Sequence, residues 1–328
     1  MKCSEEPRAE GEGGAEGEGP IFADHRRAEG DSPIFAGAKI GTVPGAALSH
    51  PRSFAANRFV YPVLSRRAGG ISIGINLNPD KACNFDCVYC QVDRSGRGAA
   101  VLRPADLPQL AEELHEMLDL VVSGRIFDGP PFRQTPAPMR RLNDIALSGD
   151  GEPTASPLLG EVVSLAAEAR QARGLAEMKI VLITNGSLLD REPVRRALEI
   201  LDANNGEIWA KLDAGTEDYY RKVARSRVGF PRILENLRQA ARGRPIVIQS
   251  LWMRLGEQQP PAAEQEAYCR RLSEIVEAGG RIKLVQIHTI ARPPAEGFVS
   301  PLAAKEVEEI ADMVRRRTGL PVAAFAGM

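Results

Sequence analysis

Three cysteines fall within eight residues of one another, Cys83, Cys87 and Cys90, at C-x3-C-x2-C spacing. Thiolates are the ordinary ligands of iron–sulfur clusters, and a closed 4Fe–4S cluster takes one cysteine on each iron. Three ligands leave one iron open, and an open metal position marks chemistry rather than scaffolding, as it does for catalytic zinc. The chain has only 5 cysteines in 328 residues, so the spacing asks for a cause. Two other readings compete, a zinc-binding module and three inert thiols. A zinc knuckle needs a fourth ligand, and neither Cys3 nor Cys269 brings a partner at C-x2-C spacing. A disulfide would leave one thiol over, and the polar neighbours Asn84 and Asp86 do not suit a core strand.

The surroundings of the cysteines carry a resemblance. Residues 59–93 run from Phe-Val-Tyr-Pro-Val-Leu-Ser-Arg-Arg-Ala-Gly-Gly to Lys-Ala-Cys-Asn-Phe-Asp-Cys-Val-Tyr-Cys-Gln-Val-Asp, and they resemble the start of a radical SAM (S-adenosylmethionine) domain. The pair Arg66–Arg67 and the Cys-x-Tyr-Cys-Gln context are similar to the iron–sulfur oxidoreductase group related to the wyosine-forming tRNA enzymes. The resemblance covers about residues 58–295. It implies an open, six-stranded partial parallel βα barrel, a 4Fe–4S cluster on Cys83, Cys87 and Cys90, and SAM on the open iron. It also implies a reductant such as flavodoxin or ferredoxin. The implied reaction is reductive cleavage of SAM to a 5′-deoxyadenosyl radical that takes hydrogen from a substrate. Residues 148–154, Ser-Gly-Asp-Gly-Glu-Pro-Thr, look like the family's glycine–acid motif. The resemblance assigns Gly149, Gly151 and Glu152 to the methionine end of SAM, and Tyr89, just before the third cysteine, to its adenine. Asp150 stands where relatives often carry Asn.

The rest of the chain must position these loops. From about residue 58 onward, two kinds of segment alternate. Short apolar runs at 71–77, 142–147, 179–184, 207–212, 245–251 and 283–289 read as buried parallel strands. Between them, apolar residues recur at helical spacing, as in Leu107, Leu110, Leu114 and Leu118, or Val194, Leu198 and Leu201. Strand–helix alternation implies a parallel sheet with right-handed crossovers, and six units are too few for a closed eight-fold barrel. The Pro- and Arg-rich stretch 123–141 reads as a loop insertion near the site mouth.

Ligands of parallel α/β folds bind at the carboxyl ends of the strands. Five further candidates stand there. Asn185 follows the third strand and either bonds a ligand or caps the next helix. Lys211 and Asp213 end the fourth strand on one face, as a structural ion pair or as groups reaching the SAM ribose or the substrate. Gln249 ends the fifth strand. His288, the only histidine within the strands, is a bonded core residue or a substrate and proton-transfer group. Lys211, Asp213 and His288 are the expected catalytic residues; Gln249 and Asn185 join the cofactor set. Arg66 and Arg67 bind an anion at the barrel edge or pair with acids; the sequence does not choose.

Bulk properties set limits. Residues 1–57 are Gly/Glu-rich without periodicity and read as a disordered tail ahead of a single domain at 58–328. Net charge is −1, with −4 in residues 1–30 and +3 in the remainder, which is not the strongly basic footprint of a nucleic-acid binder. The cluster Arg221, Lys222, Arg225 and Arg227 is a solvated helix face or a phosphate site. No apolar run approaches the ~20 residues of a membrane span, and the start lacks a signal-peptide stretch, so a cytoplasmic protein is expected. The wyosine-forming relatives carry extra cysteines for a second cluster, whereas here only Cys3 and Cys269 remain. That places a tRNA substrate behind an unidentified one, as the second reading.

Overall fold

The computed structural model describes residues 54–93 and 98–327. The expected tail therefore lies outside the described residues, except for 54–57. Of those four, Phe54 packs on the domain, its ring 6.4 Å from that of Phe132.

A hairpin opens the fold: β1 (Val60–Ser65) runs antiparallel to β2 (Gly70–Ile75). Then follow α1 (Leu107–Val122), β3 (Leu142–Leu147), α2 (Leu159–Gln171), β4 (Lys179–Thr184), α3 (Glu192–Asp202) and β5 (Gly206–Lys211). The second half holds α4 (Glu217–Ala224), α5 (Phe230–Gly243), β6 (Ile246–Leu255), α6 (Ala262–Glu277) and β7 (Ile282–Thr289). It closes with β8 (Val299–Pro301), α7 (Ala304–Thr318) and β9 (Val322–Phe325). The strand order is β1-β2-β3-β4-β5-β6-β7-β9, with β8 antiparallel on β6. Strands β2 to β7 are parallel and in sequence order, as a right-handed βα winding requires. The sheet curls into a half-barrel, because a single cavity is lined from both edges, by Val63 of β1 and Phe325 of β9.

The helices cover the outside for the reason their spacing gives. In α1, Leu110, Leu114, Met117, Leu118 and Val121 are buried on one face. That face also buries Glu113. Its carboxylate accepts the backbone N–H groups of Arg58, Phe59 and Val60 at 2.9, 2.8 and 3.1 Å. An edge strand would otherwise begin with buried orphan donors, so a buried carboxylate serves where an apolar residue would not.

Four expectations need correction. The strands are apolar on their outer face, but their inner face alternates polar and small residues, such as Ser72, Gly74, Asp144 and Ala146 around the cavity. The fifth predicted strand does not stop at 251; β6 continues to Leu255 because β8 pairs with Met253, Arg254 and Leu255. That partner lies over forty residues away, so local pattern cannot show it. β9 likewise adds a seventh parallel strand beside β7, beyond the six read from the sequence. Finally, residues 123–141 line neither cavity of the site; they lead into β3 at the end away from the cysteines, where Arg141 and Asn143 bond the carbonyls of Gly69 and Ala68. Among the described residues, no helix is long and apolar enough to cross a membrane.

Candidate functional site

The cysteine loop leaves the carboxyl end of β2 and is held from two sides. On one side the end of α4 supplies carbonyls: Asp86 N–H donates to Ala224 O at 3.2 Å and Val88 N–H to Val223 O at 3.0 Å. Arg225, at the left-handed cap of α4, pairs with Glu296 and lies 3.9 Å from Asp86. Arg221 pairs with Glu217 at 2.6 Å. The basic cluster of α4 thus has two of its members in ion pairs, one of which steadies the cysteine loop.

On the other side stands the turn after β3. The Asn76 side chain donates to Asp150 at 2.8 Å and accepts from the Asn78 and Asp150 amides at 3.0 and 3.2 Å. The Glu152 amide donates to Ala82 O at 3.3 Å. This approach explains both glycines. A Cβ on Gly149 would lie 2.2 Å from Asn76 Oδ1, and one on Gly151 only 1.9 Å from Ala82 O. Asp150 therefore serves as a strut to Asn76.

Glu152 is 2% exposed and carries four bonds. Its carboxylate accepts Thr154 N–H at 3.2 Å, the Thr154 and Thr184 hydroxyls at 2.5 Å each, and the Asn185 amide at 2.8 Å. Burial raises its pKa, against the pull of those donors. One oxygen takes three of the bonds and the other only one, which leaves the second oxygen spare accepting capacity. Asn185 joins β4 to the cysteine loop: its amide donates to Asn84 at 2.9 Å, and its oxygen accepts from the Ser187 amide and hydroxyl at 3.0 and 2.6 Å. Asn185 turns the chain after β4 and lies in the cavity wall, but it does not cap the next helix, whose N-cap is Arg191.

Lys211 ends β5, and Asp213 lies in the following turn rather than on the strand. They pair all the same, Nζ to Oδ1 at 3.0 Å. Asp213 also accepts the Leu251 amide at 2.6 Å and the Tyr89 hydroxyl. The Lys211 ammonium lies 5.5 Å from the centre of the Tyr89 ring. The turn carrying Asp213 is fixed from behind by buried Glu264, which accepts Gly215 N–H and, at 2.5 Å, the Thr216 hydroxyl. Burial, with Asp213 and Cys87 beside it, drives the Tyr89 phenol well above its usual pKa, so it stays a donor.

Gln249 and Gln286 are register partners on the inner face and bond at 2.8 Å. Ser250 faces outward, to Tyr268 at 2.5 Å. His288 lies on the inner face of β7, 3.2 Å from an Arg67 guanidinium nitrogen through Nε2. Arginine has only donors, so Nε2 accepts and Nδ1 carries the proton. Burial, then Lys211 and Arg67, pull the His288 pKa well below its ordinary value, so the ring is neutral. The pair Ser72 and Asp144, absent from the sequence reading, also faces inward and is bonded side chain to side chain. A carboxylate inside an apolar strand was the available signal. Burial lifts its pKa to about 6.

Two hollows meet at the cysteine loop. One, of about 170 Å³, has Cys83, Cys87, Glu152 and Asn185 in its wall beside an aromatic group of Phe85, Tyr220 and Phe230. The other, of about 340 Å³, is the barrel chamber, with Cys87, Cys90, Gly149, Lys211, Gln249 and His288. Cys87, Tyr89, Gly151, Ile183 and Lys211 belong to both.

These residues fit a thiolate-held cluster. Burial pushes the Cys87 thiol up to about 12, and Asp213, Cys83 and Cys90 push the same way. Three neighbouring sulfur donors next to a carboxylate ionise together only beside a strong positive charge, which cluster iron supplies. No three His, Cys, Asp or Glu side chains among the described residues converge as on a single metal ion.

Comparison with known proteins places this geometry. The chain is 25% identical over 261 residues to a UPF0026 protein of Methanocaldococcus jannaschii, covering 76% of this chain and 68% of that one. It is 25% identical over 182 residues to a UPF0026 protein of Helicobacter pylori, and 28% identical over 162 residues to a protein named GTPase Obg of Brachyspira hyodysenteriae. The chain spans 52% of the Helicobacter protein's length and 20% of the Brachyspira protein's. Among solved structures it aligns with TYW1 with a lysine-pyruvate adduct bound, at TM-score 0.46 and 17% identity over 75% of this chain and 73% of that one. Archaeal TYW1 aligns at TM-score 0.46 and 13% identity, over 80% of this chain and 85% of that one. The family model described as the radical SAM superfamily matches residues 77–257, more than half of the chain and both loops of the site, and the chain therefore belongs to the radical SAM superfamily.

Proposed function

We propose that residues 58–328 form one catalytic domain that cleaves SAM reductively and passes the radical to a substrate in the barrel chamber. Membership of the superfamily brings a 4Fe–4S cluster and SAM as cofactors. When bound, they supply one-electron cleavage of a sulfonium and with it a carbon radical able to take hydrogen from an unreactive position. Everything else falls to the chain. Cys83, Cys87 and Cys90 hold the cluster. The turn of Gly149, Gly151 and Glu152 lies against the cysteine loop, with its carboxylate free on one side to accept an ammonium. Tyr89, with Asn185 and Gln249, completes the cofactor wall. Asp213 orients Tyr89 and Lys211 at once. Lys211, Asp213 and His288 line or brace the substrate side, His288 as a neutral ring that positions Arg67. The half-barrel keeps water from the reacting atoms. A low-potential reductant of the flavodoxin or ferredoxin kind delivers the electron.

One observation carries this reading. Cys87, Tyr89, Gly151 and Lys211 line both hollows, so the cysteine loop and the glycine–acid turn meet where the smaller hollow adjoins the barrel chamber. A scaffold cluster has no need of such a junction. The test is replacement of each ligand: Cys83→Ala, Cys87→Ala and Cys90→Ala should each abolish formation of 5′-deoxyadenosine by the reduced protein. Retained SAM cleavage in any one purified variant refutes the assignment.

A further inference from the structure

Resting on the reading just given, we infer that the substrate directs an uncharged hydroxyl at Asp144, deep in the barrel chamber, while its apolar body lies against Trp209. A local device of the fold puts Asp144 there. β2 and β3 shift register between Ile71 and Ser72, so that Ile71 stands beside Leu142 but Ser72 beside Asp144. Asn143 is the extra residue, and its side chain is drawn off to the Ala68 carbonyl. Such a bulge is rare in a parallel pair, and it re-aims a side chain. Without it Ser72 would stand beside Asn143, and Asp144 would belong to the outer face. Instead Ser72 and Asp144 both line the chamber. Asp144 lies three residues before Leu147, the end of β3, which sets it about 10 Å below the glycine–acid turn.

The carboxylate is short of donors. An ionised carboxylate has about four acceptor sites, and the Ser72 hydroxyl fills one of them, on Oδ1. Oδ2 bonds no group among the described residues, and they do not seal it off. None of their cations forms an ion pair with it. Its register neighbour Lys179 pairs with Glu207 at 2.7 Å, and Arg67 bonds His288. Both still act on Asp144 electrostatically, but burial outweighs them and lifts its pKa to about 6. An asparagine here would keep the Ser72 bond without a buried charge, so the fold alone does not ask for a carboxylate.

The same surroundings choose the ligand. An ammonium would meet the field of Lys179 and Arg67, and an anion would meet that of Asp144. A neutral hydroxyl meets neither and gains a charge-assisted bond. Beyond Asp144 the chamber wall turns apolar, with Ala146, Val181, Ile183 and Trp209. The Trp209 indole donates to Glu207 at 3.0 Å, and Lys179 and Lys283 hold that carboxylate at 2.7 and 2.8 Å. The ring is thereby fixed as a bed for an apolar body.

The test is calorimetric titration of three probes of one shape, benzyl alcohol, ethylbenzene and benzylamine, into the cluster-loaded, SAM-saturated protein. It is run at about pH 8, above the folded pKa of Asp144 of about 6. Benzyl alcohol should bind about tenfold or more tighter than either of the others. Asp144→Leu should abolish that preference, and Asp144→Asn should reduce it with the affinity for ethylbenzene unchanged. The asparagine variant keeps the Ser72 bond, so it decides the matter if the leucine variant does not fold. Three results overturn the inference: no saturable binding of the alcohol, equal affinity for alcohol and ethylbenzene in the wild type, or a preference that survives in the variants. Tighter binding of benzylamine than of the alcohol also overturns it, because the carboxylate would then be an ammonium site. 5′-Deoxyadenosine formation by the same wild-type preparation is scored separately. Its absence defeats the radical reading, while the titrations still decide what Asp144 binds.

Discussion

Replacing Gly151 by alanine sets a new methyl carbon 1.9 Å from the carbonyl oxygen of Ala82 and 2.7 Å from Cβ of Asn78. Side-chain carbons essentially never approach closer than 3.0 Å, so the two backbones must part by about 1.1 Å. Neither can do so alone. The turn is tied to the loop by Asn76, and Ala82 immediately precedes Cys83. Overpacking of this kind costs about 1–3 kcal/mol, which in a domain of this size lowers Tm by roughly 2–10 °C. The larger effect should fall on the cysteines. A shift of an ångström at Ala82 carries Cys83 out of register with Cys87 and Cys90. Anaerobic reconstitution followed by iron and sulfide analysis should show most of the cluster lost from Gly151→Ala, with the fold retained. Gly243→Ala is the control, since a Cβ there meets nothing within 4 Å. If Gly151→Ala loads iron and melts like the wild type, the close approach of turn and loop is not what the glycine is for.

Three further outcomes follow from the same geometry. Asp213→Ala strips a partner from Lys211, Tyr89 and the Leu251 amide together, and should cost about 3 kcal/mol or more in urea denaturation; a change within error would mean the pair is solvated. Glu113→Ala orphans three amides, two of them buried, and should cost about 3 kcal/mol, with Glu113→Gln in between; equal stability of all three proteins would show that water replaces the carboxylate. Asp144 gives a pH signature. Burial raises its folded pKa to about 6 from an ordinary 3.8, so its favourable contribution is complete below the unfolded value and is lost as pH rises through about 6. Asp144→Asn should therefore gain on the wild type between pH 4 and pH 7 by about 3 kcal/mol, and a constant difference across that range would place the carboxyl in a wetter site.

The winding of the fold was legible because its signals are local. Apolar runs of six residues marked β3 and β4 to the residue, and helical spacing marked their covers. What stayed hidden depends on distant partners. β1 reads as a strand only once Glu113 caps it, and β8 and β9 are too short to announce themselves without β6 and β7. The site divides in the same way. Cys83, Cys87 and Cys90 are explicit because three thiols at fixed spacing have few other uses. Gly151 showed as a turn residue, but its reason, the carbonyl of Ala82, lies across the fold. Arg66 and Arg67 were ambiguous in the sequence because the partners that hold them, Ala326 and His288, lie more than two hundred residues further on. The inner face of the barrel was misjudged for a related reason. A polar residue at every second position looks like noise within an apolar run until the curl of the sheet gives the two faces different neighbours.

On the proposed function, an open iron on the three-cysteine cluster binds SAM and reduction cleaves it. The most direct measurement is made without oxygen: reconstitute the cluster, reduce it, record the EPR spectrum with and without SAM, and assay 5′-deoxyadenosine. A SAM-dependent change in the spectrum is expected, together with formation of 5′-deoxyadenosine. A fully loaded cluster whose spectrum ignores SAM, with no nucleoside formed, would contradict it.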